Sequence, residues 1–373
     1  MKAAKNSPDY LLLFIVGVLL LLGIVIIASV SASASPEDPM FYLIRHLKQG
    51  LFLGLLAGFI AFKIPLVFFK KYSFLLLLFS LFLTVLVFFP GIGLNLGGAS
   101  RWLNLGLFTF QPSELLKLSF IIYLAAWLAA RIERTERIKG FSRWSANKLF
   151  AFLAAISLIV VLLALQPDVS TLVVIIACAF LMYFSAGTPV KHSLLIMGLG
   201  VIVLAALIKI SPYRFKRMLV FLNSELDPMG LGYQIRQAIM TVGSGGIFGM
   251  GLGMGVQRFL PQPLTDSLFA LFAEQTGFVG SSAVVVLFLL LFWRGYVIAK
   301  KSRDAFCRLA ALGIGFWIVL QAYVHIGVAL GMLPVTGIPL PFISYGGTAN
   351  AVSLIGIGIL LNISKNERQL QNI

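Results

Sequence analysis

Asp266 is the residue in this sequence best placed to do chemistry. It stands where a proline-stiffened approach, LPQPLT at residues 260–265, gives way to a long apolar run. The polar segment before it carries Arg214, Lys216, Arg217, Arg236 and Arg258, with Glu225 and Asp227 as its only earlier acids. One carboxylate among several cations suits a particular reaction class. A sugar leaving a lipid pyrophosphate already has a good leaving group, provided cations or a metal stabilise the departing phosphates. Such a transfer needs one base, to deprotonate the acceptor hydroxyl, where a glycosidase needs two carboxylates. Arg214, Arg217, Arg236 and Arg258 offer planar forks that match phosphate oxygens bidentately. Plainer roles stand beside these. An aspartate at the start of a helix also caps its free amides, and long translocated loops carry cations without any anionic ligand.

Few other groups compete. Glu114 and Lys117 are three apart on one apolar run and share a helix face. They suit either a buried ion pair that fixes helix packing or the lining of a polar cavity, since ionisable groups inside a span are costly unless paired or wet. Asp168 opens a run containing Ser170 and Thr171, the pattern of a helix N-cap more than of a catalytic acid. Glu225 and Asp227 precede Pro228 in a turn-like stretch and read as loop solvation, and Glu274 lies about two helical turns beyond Asp266. His46, His192 and His325 are scattered, which speaks against a histidine metal cluster or a Ser-His-Asp arrangement. No GxxxxGK phosphate loop occurs, and the glycine run at 243–255 follows no strand, so no nucleotide is expected. That run suits close helix packing or backbone amides facing an anion. Cys178 and Cys307 support neither a disulfide nor a thiolate metal site.

Helices in lipid must position these residues. Of 373 residues, 60% are hydrophobic and 11% charged, with a mean hydropathy of +0.99; a soluble domain carries about 25% charged residues. Apolar runs of about 20 residues recur, without the short alternating segments of a β-barrel. The expected fold class is an all-α polytopic membrane protein of about ten transmembrane helices, at 10–31, 46–64, 72–90, 112–130, 148–165, 169–187, 192–210, 267–293, 305–331 and 340–363. The first run exceeds a signal-peptide core and reads as an uncleaved span. Of the 29 Lys and Arg, 19 fall on the side of the N-terminus, so both termini are expected in the cytoplasm. Residues 211–266 then form a large extracytoplasmic loop between spans 7 and 8 of a single domain covering 1–373. The net charge of +16 is spread between spans and not gathered on one soluble face, which argues against nucleic-acid binding. A second outer segment, 91–111, carries several glycines and Arg101 and is expected as a structured re-entrant or surface loop.

Motifs in order along the chain carry a family resemblance. GGASRWLNLG at 97–106 is followed by FQPSELLKLS, QPDVST at 166–171, LDPMGLGYQIRQA at 226–238, GSGGIFGMGLG, FLPQPLTDSLFALFAEQTGFVG, and LGMLPVTGIPLPFISYGGT at 330–348. Together they resemble the SEDS family (shape, elongation, division and sporulation), the FtsW/RodA peptidoglycan polymerases. The stretch YLAAWLAARIERTERIKGF and the loop pattern are more similar to the FtsW branch. The resemblance implies a glycosyltransferase that polymerises lipid II into glycan strands at the outer face of the bacterial cytoplasmic (inner) membrane, for septal or elongation wall synthesis. The transfer it implies is inverting, with undecaprenyl pyrophosphate as the leaving group. It also implies Asp266 as the catalytic residue, with Arg101, Gln111, Glu114 and Lys117 near a central cavity and Ser344, Gly346 and Gly347 near the last span. A divalent cation, Mg2+ or Mn2+, is implied as cofactor. Lipid II and nascent lipid-linked glycan are the implied ligands; a class B penicillin-binding protein and other divisome or elongasome proteins are the implied partners.

The chain departs from the family pattern in three places. Where the family usually reads L-P-E-x-H-T-D-F, this chain has Gln262 and Leu264 in place of the Glu and His. Glu274-Gln275 stands for a Glu-Glu pair, and His325 for an Asn. Two other functions stay open on sequence alone: a lipid II flippase or transporter working through Glu114 and Lys117, and a non-catalytic division scaffold.

Overall fold

The computed structural model describes residues 7–34, 38–96, 99–106, 108–137, 146–254 and 260–370. Apolar runs become helices because each backbone amide and carbonyl must find a partner within the chain once hydrocarbon replaces water. The helices are α1 (Tyr10–Ala34), α2 (Phe41–Arg45), α3 (Leu53–Lys63), α4 (Leu66–Leu86), α5 (Pro112–Arg137), α6 (Ala146–Leu165), α7 (Val169–Ser185), α8 (Val190–Ile210), α9 (Pro212–Leu222), α10 (Leu231–Ser244), α11 (Leu268–Lys301), α12 (Ala305–Ala329) and α13 (Gly347–Leu370). A π-helical turn, His46–Phe52, joins α2 to α3.

Among the described residues, eight helical stretches are long and apolar enough to cross a membrane, α2 through α3 counting as one. Shorter apolar helices at Phe152–Leu165 and Val169–Ser185 add two more. A helix of 17 residues such as α7 is about 25 Å long, close to the thickness of a hydrocarbon core. The chain is a multi-pass membrane protein.

The interior spans are α5, α12 and α13, with α12 packed on α5, α7 and α11, and α13 on α3. Backbones of α3 and α13 touch: a Cβ on Gly358 would come within 2.1 Å of the Gly58 carbonyl oxygen. Small residues allow such approach, the usual basis of helix association in lipid. Asn362 on α13 then donates to the carbonyls of Ala61 (3.3 Å) and Ile64 (2.6 Å), left free at the end of α3. At the same membrane face, Asp9 caps α1 by accepting from the Leu12 amide at 2.9 Å and pairs with Arg294 of α11.

Three segments differ from their expected form. Residues 91–111 hold a small antiparallel sheet in the order β1 (Gly93–Leu96), β2 (Ala99–Asn104), β3 (Thr109–Phe110), with Leu94 opposite Trp102 and Leu103 opposite Phe110. The segment 211–266 contains two helices, α9 and α10. Pro212 suits the first helical position of α9, and a Lys216–Asp227 ion pair at 3.1 Å holds the turn between the two helices. These helices are short and amphipathic, so hydropathy alone gives no sign of them. The last span begins at Gly347 and not near 340, and residues 334–346, more than half of them buried, form no helix.

Within α11 the helix breaks at Gly277 (φ 68°, ψ −165°). The groups freed by the break pair with the glycine run. Met250 and Gly251 amides donate to the Glu274 and Gln275 carbonyls at 2.9 and 3.1 Å, while Phe278 and Val279 amides donate to the Gly246 and Ile247 carbonyls at 2.9 and 3.1 Å. The amides of Met250 and Gly251 therefore serve the helix break and do not face an anion. A Cβ on Gly277 would lie 2.3 Å from the Gly249 nitrogen. Gly277→Ala adds both this clash and left-handed strain, and is expected to destabilise the protein by about 3 kcal/mol or more. Thermal unfolding of detergent-purified protein checks this. Gly198→Ala on α8, whose Cβ would meet nothing within 4 Å, is the control expected to leave the transition in place.

Candidate active site

A tight turn presents Asp266. Gln262 adopts a left-handed conformation (φ 51°), and its carbonyl accepts from the amides of Thr265 (3.2 Å) and Ser267 (3.3 Å). Ser267, not Asp266, takes the N-cap position of α11, and its hydroxyl donates to the Pro261 carbonyl at 2.8 Å. Asp266 is thus free of the capping role that its position allowed. Two hydrogen bonds fasten this turn to the segment leading into α13: the Tyr345 amide to the Leu264 carbonyl at 3.0 Å, and the Ser344 hydroxyl to the Thr265 carbonyl at 3.3 Å. On the facing side lies Gly337, whose Cβ would come within 3.6 Å of Asp266 Oδ2. Glycine there leaves room beside the carboxylate.

Electrostatics around Asp266 pull both ways. Burial pushes its carboxyl above the usual aspartate value, and the charges of Arg217 and Arg101, with a hydrogen bond from Thr265, pull it down. Burial is the largest influence and the net direction is upward. Arg101, on β2, donates from Nε to the Gln166 carbonyl at 3.3 Å and from Nη2 to the Pro167 carbonyl. Arg214 donates to the carbonyls of Leu207 (3.1 Å) and Ala164 (3.3 Å). Both guanidiniums therefore sit at the C-terminal end of α6, where unpaired carbonyls and the helix dipole favour cations. That placement makes their crowding tolerable: the like charge of Arg101 adds to burial in lowering the proton affinity of Arg214. Arg217 donates to the Val335 carbonyl at 3.2 Å and stacks over Tyr213, 4.7 Å from the ring centroid.

The other expected residues fall into two sets. Gln111 links the sheet to the last span, its amide nitrogen donating to Thr348 Oγ1 at 3.2 Å and its side chain to Ser113 Oγ at 3.1 Å. Ser113 donates to Asp168 at 2.9 Å, and Asp168 caps α7 through the Thr171 amide at 3.2 Å. Glu114 and Lys117 lie deeper, each about 2% exposed, as a 2.8 Å ion pair. Lys117 also donates to Gln321 Oε1 at 2.8 Å and lies over Trp317. Arg236 is half-buried on α10 and donates to the Pro228 carbonyl at 3.1 Å. Arg258 lies outside the described residues.

Gln321 and His325 of α12 carry more than their sequence positions suggested. Gln321 accepts from Lys117 and from Trp317 and donates to the Pro339 carbonyl at 3.1 Å, and His325 Nδ1 is 2.7 Å from the Ile338 carbonyl. A carbonyl can only accept, so Nδ1 bears the proton. His325 supplies the N–H that an amide would supply at that place. The signal for Gln321 was available: a polar side chain amid 25 apolar-rich residues needs a partner.

Thr265, next to Asp266, lines a cavity of about 580 Å3 between α3, the sheet and the start of α13, with Arg45 and Gln49 at its polar side. Among the described residues no three His, Cys, Asp or Glu side chains gather as a metal cage. One carboxylate beside guanidiniums does fit an Mg2+-type ion held chiefly by substrate phosphate oxygens.

The sequence matches the FtsW/RodA/SpoVE family, described as cell cycle proteins, over residues 10–369. Stage V sporulation protein E of Bacillus subtilis is 38% identical over 99% of this chain and 100% of its own length. A probable peptidoglycan glycosyltransferase FtsW of Nitrosococcus halophilus is 38% identical over 97% of this chain and 93% of its own. A solved chain from a peptidoglycan synthase complex, described for its structural coordination of polymerization and crosslinking, superposes with a TM-score of 0.80. It is 29% identical and covers 97% of this chain and 98% of that one.

Two outcomes follow from the geometry. The raised carboxyl of Asp266 disfavours its ionised form in the folded state. That penalty is absent below the ordinary aspartate value of about 4, grows as pH rises toward the raised value, and is full above it. Asp266→Asn is therefore expected to unfold at a higher temperature than wild type at pH 7, with the difference vanishing in melts run toward pH 4. Lys117→Met leaves the Glu114 carboxylate buried without its cation and is expected to cost about 3–5 kcal/mol. Adding Glu114→Gln should recover most of that loss in the same unfolding measurement.

Proposed function

This chain belongs to the FtsW/RodA/SpoVE family, and on that premise we propose that it is a peptidoglycan glycosyltransferase polymerising lipid II into glycan strands. The observation that carries the mechanism is Asp266, one carboxylate raised by burial and set in the field of Arg217 and Arg101. As the acceptor hydroxyl oxygen bonds to the anomeric carbon of the donor, Asp266 takes the hydroxyl proton. The bond from that carbon to the pyrophosphate oxygen breaks on the opposite face, its electron pair leaving with undecaprenyl pyrophosphate, and the configuration inverts. Higher proton affinity makes Asp266 a better base than an ordinary surface aspartate at neutral pH.

Arg101, Arg214 and Arg217 supply fixed positive charge where the departing phosphates accumulate negative charge. Each is already oriented by carbonyl contacts, so little reorganisation accompanies the transfer. Arg236 and Arg258 belong to the same lipid's outer approach, and Gln111 and Ser344 hold the sheet and the Asp266 turn against the last span. A divalent ion, Mg2+ or Mn2+, held by Asp266 and the substrate phosphates would add charge neutralisation at the leaving group. The lipid transporter alternative drew on Glu114 and Lys117, and their closed pairing with each other and with Gln321 removes its support.

The distribution of Lys and Arg supports cytoplasmic termini and an active site at the outer face of the cytoplasmic membrane. The relatives named FtsW support the FtsW branch, and with it septal over elongation wall synthesis. The solved relative in a synthase complex that coordinates polymerization with crosslinking favours a class B penicillin-binding protein as partner, alongside other divisome or elongasome proteins. The decisive assay is polymerisation of labelled lipid II by the purified protein with that partner, with and without Mg2+. Asp266→Asn is expected to slow it by about 10²–10⁴-fold, and a wild-type rate from that variant would overturn the assignment. In wild type the rate should rise with pH through a midpoint above the ordinary aspartate range, because the ionised carboxylate is the base.

A further inference from the structure

A second cavity lies at the opposite membrane face from Asp266. It is an apolar crevice of about 600 Å3 between α1, α3 and α13, opening beside Pro8. Its walls are helical stripes, Gly17 and Leu20 from α1, Leu55, Phe59 and Phe62 from α3, and Leu361 from α13. From Phe62 inward to Leu55 is seven residues, or about 10 Å along the helix, which stays within one leaflet of a hydrocarbon core about 30 Å thick. Gly17 borders this open space: a Cβ there would meet nothing within 4 Å.

Its mouth is cationic. Lys63 Nζ lies 5.3 Å from the Phe59 ring centroid and 5.8 Å from that of Phe62, and Lys365 Nζ lies 5.5 Å from the Phe62 centroid. Both ammonium groups thus stand over the ring that forms the outer end of the crevice. Among the described residues neither lysine has a carboxylate partner, and the nearby Asp9 is already paired with Arg294. Lys stems lie along apolar surface while their heads reach the headgroup layer, and basic side chains at that layer recognise anionic lipid.

We propose that this crevice binds one acyl chain of an anionic phospholipid of the phosphatidylglycerol class, its phosphate held between Lys63 and Lys365. A transmembrane helix of a partner fits less well, because the two ammonium groups at the mouth call for an anion, which a phospholipid phosphate supplies and an apolar helix does not. The site is distinct from the polymerising centre and does not depend on it.

Native mass spectrometry tests the proposal on the full-length protein extracted from vesicles of equal phosphatidylglycerol and phosphatidylethanolamine. Wild type is expected to retain phosphatidylglycerol preferentially. Gly17→Leu, whose Cβ would meet nothing within 4 Å and whose side chain would take up part of the crevice, is expected to lower retention of either lipid about tenfold with an unchanged melting temperature. Lys63→Gln with Lys365→Gln alters only surface charge. It should leave the crevice able to hold a lipid yet lower the preference for phosphatidylglycerol about fivefold for each lysine removed, the equivalent of about 1 kcal/mol per charge. Wild-type retention by a folded Gly17→Leu, or an unaltered headgroup preference in the lysine variant, would overturn it. So would a photo-crosslinker at Phe59 that captures polypeptide and not lipid.

Discussion

Backbone that leaves the helical ladder inside hydrocarbon must find other partners, and the site exists because this chain finds them. Residues 334–346 lead from α12 to α13 without a helix, and four of their carbonyls are met by side chains from separate elements. Arg217 reaches Val335, Ser170 reaches Thr336, His325 reaches Ile338 and Gln321 reaches Pro339. Each unmet carbonyl there would cost several kcal/mol. The same rule governs α11, whose break at Gly277 is tolerated only because the glycine run pairs its exposed amides and carbonyls. One pinned segment lies under Asp266; the other fixes the short first part of α11 directly behind it.

This arrangement gives the arginines two duties. Arg101 and Arg214 close the end of α6, and Arg217 holds the non-helical segment at Val335, so each guanidinium is oriented before any anion arrives. The design resembles a preorganised electrostatic site, in which charge is fixed in place by contacts of its own. It also explains why a carboxylate can lie in the field of two guanidiniums and still be harder to ionise than usual. The cations already lean on carbonyl oxygens, and burial outweighs what remains of their field.

Hydropathy revealed the spans well because apolar length is what a bilayer selects. It said little about backbone conformation. The sheet at 91–111 and helices α9 and α10 are short and half-polar, so no window of membrane length reports them. Hydropathy puts the start of the last span too early because LPFIS is apolar enough to read as helix, although Phe342 adopts φ 67° and the Ser344 hydroxyl and Asn350 amide hold the chain in a turn. Asp266 was visible from the sequence as the odd acid at a helix threshold. What could not be seen was Gly337 opposite it, or that Lys117 would also reach Gln321, since these pairings join residues 71 and 204 positions apart and leave no local period. The glycine run stands out by composition, but its partner is a helix break that only the fold discloses.

The fastening of Thr265 by Ser344 has a consequence in time. The two residues are 79 apart in sequence, and at roughly 5–20 residues per second the ribosome adds Ser344 some 4–16 s after Thr265. Throughout that interval the membrane holds a nascent chain whose central aspartate is already made but whose clamp is not. Competence therefore comes at the end of synthesis, when the closing turn arrives, so a chain stalled before Ser344 carries the carboxylate without the means to aim it.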